Sequence, residues 1–139
     1  MFPQRTVRSE VSVRGIGVHT GKPARLTIKP ALSNYGITFT RTDLEGRPSI
    51  AAHYKNIVST QLATTLGRGA MTVSTVEHVL AALQGLGVDN ANIEVDGPEV
   101  PIMDGSSAAF CEAIESVGIE HQSQARAFLA LRKKVEIKL

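Results

Sequence analysis

The hydrophobic period of this chain changes near residue 74, and that change constrains its fold more than any other feature. Upstream, apolar residues alternate with polar ones, as in "RTVRSEVSVRG" (residues 5–15), where Val7, Val11 and Val13 mark a strand that ends at the glycine-rich turn "GIGVHTGKP" (15–23). "ARLTIKP" (24–30) and "GITFTRT" (36–42) repeat the pattern on either side of "ALSNYG", a segment rich in turn formers. "EGRP" (45–48) marks another turn before "SIAAHYKNI", and "STQLATTLG" (59–67) reads as one more strand, small and threonine-rich.

Downstream the period lengthens. Val76, Val79, Leu80 and Leu83 recur at helical spacing with Leu86 close behind, and Gly87 is a C-terminal stop. Ser74 followed by Glu77 forms the pattern of a capping box, in which each side chain closes the other's free N–H. "NANIEVDG" (90–97) returns to strand, "PEVPIMDG" (98–105) is a proline-bracketed loop, and Ser106 can cap a second helix that runs to Gly118. The expected class is α+β: a two-layer sandwich in which an about five-stranded, mainly antiparallel sheet packs against two helices.

A chain of 139 residues suffices for one such core. Hydrophobic residues are 42% and tryptophan is absent, so the core is expected from Val, Ile, Leu and Ala. Fifteen basic against thirteen acidic residues leave a net charge of +2, too small an excess to suggest a nucleic-acid footprint. The single cysteine, Cys111, excludes an internal disulfide, fits a reducing compartment and is expected to be a small core residue. No apolar run approaches the roughly 18 residues of a membrane span, and "MFPQRTVRSE" lacks the apolar centre of a signal peptide. The expected location is therefore cytoplasmic.

At the other end, "RKKVEIKL" (132–139) alternates Val135, Ile137 and Leu139 against Glu136 and Lys138. It stops partway through what reads as a half-buried strand. Residues 1–125 are expected to form one domain, and 126–139 a linker and the first strand of a truncated second domain.

The chemistry concentrates at "STVEHVLAAL" (74–83), where Glu77 and His78 share the first turn of the first helix. Spacing alone allows two readings: a capping glutamate beside an ordinary histidine, or a general base beside a metal ligand. At 100° per residue His78 projects away from the centre of the apolar stripe, and its helical neighbours Ala81, Ala82 and Gly85 are small. Free N–H groups and the dipole at a helix start favour an ionised carboxylate and a neutral imidazole. A base must be ionised, and a zinc-binding histidine must be neutral. The compact zinc motifs are absent, because Ala82 stands where the second histidine of His-Glu-x-x-His would be and Ser74 where the first histidine of His-x-x-Glu-His would be.

The run "STVEHVLAALQGLGVDNANIEVDGPEVPIMDGSSAAF", with "GIGVHTGKPARLTIKPA" (15–31) and "QRTV" before it, resembles the N-terminal half of the UDP-3-O-acyl-N-acetylglucosamine deacetylases, zinc enzymes of lipid A (lipopolysaccharide) synthesis in Gram-negative bacteria. The resemblance runs from about Gln4 to the end. It implies a hydrolase that removes the N-acetyl group from a UDP-linked acylated glucosamine, in a domain of ribosomal protein S5 domain 2-like layout.

By this resemblance Glu77 is the catalytic base and His78 one Zn2+ ligand. His19 in "GVHTG", the stretch Thr60–Thr65 with Thr60, Gln61, Leu62 and Ala63 as its candidate site residues, and Asp104 in "IMDGSS" match positions near the family's site, although Asp104 also reads as an ordinary turn aspartate. The family draws its other ligands from a His-Lys-x-x-Asp motif in a second domain, with a later histidine as general acid. That motif is absent here, and neither His53 nor His121 lies in a matching segment. The isolated chain is therefore expected to be inactive without its C-terminal partner domain. The alternative is a non-catalytic α+β module that binds RNA or a protein. Arg126, Arg132, Lys133 and Lys134 form its basic cluster, but without interleaved aromatics nucleic acid is not expected.

Overall fold

The structure, a computed structural model, describes residues 2–138. Its centre is a five-stranded sheet. Strands β2 (Val11–Ile16), β3 (Pro23–Pro30), β4 (Ile37–Arg41), β5 (Ser49–Ala51) and β9 (Ala91–Val95) lie in the order β2-β3-β9-β4-β5. Every neighbouring pair is antiparallel except β4 and β9. Strands β6 (Ile57–Ser59), β7 (Thr65–Arg68) and β8 (Met71–Val73) make a small antiparallel sheet. A ribbon of β1 (Pro3–Val7) and β10 (Ile119–Ala125) completes the strands.

Two helices, α1 (Glu77–Leu86) and α2 (Ala108–Val117), supply the second layer. Leu26 and Ile28 of β3, Phe39 of β4 and Ile93 and Val95 of β9 are buried in one cluster with Val79, Ala82 and Leu83 of α1 and Phe110 and Ile114 of α2. Alternate residues on the strands turn outward, where Lys29 pairs with both Glu10 and Glu94, and Arg47 also reaches Glu94. The mainly antiparallel α+β sandwich is thus as expected. Both helices stop where the glycines suggested, with Gly87 at φ 70° and Gly118 at φ 79°. Gly87 closes α1 by donating its N–H to Gln84 and Leu83 carbonyls, the C-cap geometry that a left-handed glycine permits.

Two strand expectations change. The segment 5–15 is two strands in different sheets, parted by an exposed bend in which the Arg8 N–H bonds to the Gly118 carbonyl. Alternation continues through that bend, so the pattern alone cannot mark it. The segment 59–67 is also interrupted, because Leu62 takes a left-handed φ of 61° and strand pairing resumes only at Thr65. In the tail, Val135 and Ile137 are exposed and unpaired with any strand among the described residues; Leu139 lies outside them. Cys111 is half-buried against the core rather than enclosed by it. Among the described residues no helix is long and apolar enough to cross a membrane.

Candidate functional site

The first turn of α1 is delivered by a sharp bend. Ser74 is held as a short bridge to the 98–100 segment, its N–H bonding to the Pro98 carbonyl and its carbonyl receiving the Val100 N–H. Thr75 then adopts φ 59°, a left-handed conformation costly for a β-branched residue, while 2% exposed. Val76 follows and offers no side-chain cap, and the helix opens on Glu77.

The expected capping box does not form. The Ser74 hydroxyl accepts from Thr65 Oγ1 at 3.0 Å, and the Glu77 carboxylate turns to the backbone N–H of Thr64, at 3.3 and 3.2 Å from its two oxygens. The left-handed Thr75 explains this, since it swings Ser74 off the helix axis and out of reach of the first-turn amides. Those amides therefore keep their partial positive charge beside Glu77 and His78, both half-buried.

The other expected residues divide. Asp104 is exposed and accepts the N–H and hydroxyl of Ser106, at 3.0 and 2.9 Å. The Ser106 N–H and hydroxyl hold its carboxyl below the usual range, and the charge of His78 adds a smaller contribution of the same sign. His78 and Asp104 thus share one electrostatic neighbourhood. Ser106 in turn accepts the Ala108 N–H at 3.0 Å, one residue before the N-cap of α2, which is Ser107 rather than the expected Ser106. Thr60, Gln61 and Leu62 are exposed in the loop after β6, and Ala63 is buried. The residue of the 60–65 stretch that touches Glu77 is Thr64.

His19 lies on the turn after β2. Its ring Nδ1 is 2.9 Å from Glu99 Oε1, and the Thr75 hydroxyl lies 3.4 Å from the same nitrogen. Glu99 is itself buried. Burial alone would raise its carboxyl pKa, but the N–H groups and side chains of His19 and Thr20 outweigh that and hold it at about 2. His53 and His121 belong elsewhere. His53 Nδ1 accepts the Lys55 N–H in a 3-10 turn (Tyr54–Asn56), and His121 stands opposite Arg5 in the β1–β10 ribbon. The basic cluster does not converge either: Arg126 bonds Asp89 and the Gly87 carbonyl, and Lys134 pairs with Glu136.

Thr75 and Glu99 escape a reading by pattern. Glu99 alone had a signal, a glutamate set between prolines in the apolar run "PEVPIM". Among the described residues no three His, Cys, Asp or Glu side chains gather into a metal-holding group. What the chain brings together is one imidazole, one oriented carboxylate and a second carboxylate nearby.

Comparison with known proteins gives one answer. The family model described as LpxC, UDP-3-O-acyl N-acetylglycosamine deacetylase, matches residues 4–139. A UDP-3-O-acyl-N-acetylglucosamine deacetylase of Geobacter sp. (strain M21) is 49% identical over 137 residues, which cover 99% of this chain and 45% of that protein. The protein of the same name from Myxococcus xanthus (strain DK1622) is 48% identical over 98% of this chain and 43% of its own length. That of Anaeromyxobacter sp. (strain Fw109-5) is 50% identical over 97% and 44%. The chain therefore spans a little under half the length of these relatives.

Proposed function

The chain belongs to the UDP-3-O-acyl N-acetylglycosamine deacetylase family, and on that premise we propose that it carries the general base, Glu77, and one zinc ligand, His78, of a zinc-dependent amide hydrolysis. The substrate is a UDP-linked 3-O-acyl-N-acetylglucosamine, the setting is lipid A synthesis in the cytoplasm of a Gram-negative bacterium, and the products are acetate and a free amine. The observation that carries this reading is the pairing of Glu77 with the Thr64 N–H at the open start of α1.

The donor chemistry fits zinc in part. An imidazole nitrogen is a common zinc donor, and His78 stands half-buried at the open start of α1. Catalytic zinc takes about three protein ligands and one open position, so His78 would be one of them and the rest would come from beyond this chain. Zinc bound there would supply a Lewis acid that acidifies water and polarises the acetyl carbonyl.

The chain's own residues do the proton work. The Thr64 N–H, shared between both oxygens, orients the Glu77 carboxylate at the helix start. Glu77 takes the proton of the attacking water as the carbon–oxygen bond forms. Asp104, held by Ser106, would steady the His78 ring or a metal beside it. His19, Thr60, Gln61, Leu62 and Ala63 would line the approach. The acid that protonates the leaving amine, with the His-Lys-x-x-Asp ligands, belongs in this reading to a second domain entered through residues 126–139.

Joining residues 1–139 to the remaining portion of the Geobacter relative and assaying acetate release tests this. Turnover by the joined protein, with little or none from the 139-residue chain, is expected. A folded, zinc-loaded hybrid that releases no acetate would overturn the assignment. No observation favours a nucleic-acid or protein-binding module instead.

A further inference from the structure

One almost fully buried carboxylate has no part in the chemistry above. The Glu99 side chain is 2% exposed, yet it accepts four hydrogen bonds. Its Oε1 receives the His19 N–H at 3.0 Å, the His19 imidazole Nδ1–H at 2.9 Å and the Thr75 hydroxyl at 3.0 Å. Its Oε2 receives the Thr20 N–H at 2.8 Å. The pocket is built tightly around it: a Cβ on Gly17 would stand 2.3 Å from Oε2 and 2.4 Å from Thr20 Oγ1.

A charge is buried only where donors replace its water, and all the donors here come from two segments. One is the turn bearing His19 and Thr20. The other is Thr75, in its left-handed conformation two residues before Glu77. A neutral side chain could fill the same space, but an amide has one acceptor oxygen and would face the Thr20 N–H with a donor of its own. The arrangement asks for a carboxylate.

We propose that Glu99 is a positioning residue of the deacetylase site, holding the Thr75 turn that delivers Glu77 and His78 while fixing His19 as the Nδ1–H tautomer. With Nδ1 committed to Glu99, the ring's other nitrogen, Nε2, is the one left for a further hydrogen bond, and the His19 side chain is 41% exposed. The inference rests on the assignment of Glu77 and His78, but its test needs no turnover.

Long-range proton–nitrogen correlation spectra of the 139-residue chain report the His19 tautomer directly, and amide exchange at Thr64 reports how firmly Glu77 is held. The wild-type chain is expected to show His19 protonated at Nδ1 and a protected Thr64 amide. In Glu99→Gln, His19 becomes a mixture of tautomers and Thr64 exchange rises about tenfold. Thr75→Val removes only the hydroxyl; it should raise Thr64 exchange and leave the His19 tautomer unchanged. An Nε2–H tautomer in the wild type would overturn the proposal, as would folded variants with unchanged Thr64 exchange. If Glu99→Gln fails to fold, Thr75→Val decides alone. Failure of the hybrid to release acetate would count against the deacetylase reading and leave these spectra as they are.

Discussion

The backbone N–H of Thr64 donates to both carboxylate oxygens of Glu77, 13 residues further along the chain, at 3.3 and 3.2 Å. The bond ties the start of α1 to the loop between β6 and β7. It gives a candidate base a fixed direction without neutralising it.

Replacing Glu77 by glutamine separates the two consequences of that bond. The amide oxygen can still accept the Thr64 N–H, so the thermal midpoint of the chain should hardly move. In the hybrid with the relative's remaining portion, kcat should fall by about 100- to 10,000-fold, the contribution typical of a general base. A hybrid that keeps its rate would exclude Glu77 from that role.

Zinc affinity tests His78 separately. With one imidazole of a normal three-ligand set, the 139-residue chain should bind zinc weakly in calorimetry, and His78→Ala should remove even that. Stoichiometric, submicromolar binding through His78 would show that the chain needs no ligands from outside.

Acid stability reports on Glu99. Its folded pKa of about 2 lies below the 4.5 of an ordinary glutamate, so the unfolded chain binds the proton first. The stability this contributes is fully present above pH 4.5 and is lost as pH falls through the folded value. A shift of that size is worth on the order of 3 kcal/mol. Urea unfolding between pH 6 and pH 2 (roughly the window set by these two values) should show the decline, and Glu99→Gln, less stable at neutral pH, should show a shallower one. Equal slopes would mean the carboxylate is not held as described.

Gly17 is the tightest glycine around that carboxylate. Gly17→Ala places a methyl against Glu99 and Thr20 and should cost about 1–3 kcal/mol by overpacking. Gly97→Ala, which meets nothing within 4 Å, is the control and should stay within about 0.5 kcal/mol. Denaturant midpoints of the two variants measure the difference; equal midpoints would argue for a looser pocket.

How much of this was legible beforehand varies by residue. Glu77 and His78 stood out as a pair because two ionisable side chains in one helical turn, beside small neighbours, are visible in ten letters of sequence. Their partners were hidden. Ser74 and Glu77 have the spacing of a capping box, and only the left-handed Thr75 between them, with its Glu99 bond, prevents the box from closing. The strand expected over 59–67 is broken for the same kind of reason: Leu62 takes a left-handed conformation that leucine does not advertise.

Local pattern was enough for the α+β class, the presence of both helices and the glycines that end them, because hydrophobic period and left-handed stops act over a few neighbouring residues. The parallel pairing of β4 with β9, the division of 5–15 between two sheets, and the hold of Thr64 on Glu77 came only with the folded chain. So did the seat of Glu99, whose donors His19 and Thr20 lie 80 and 79 residues away. A buried charge is tolerated only where distant segments bring donors to it, and no local spacing records which segments those are.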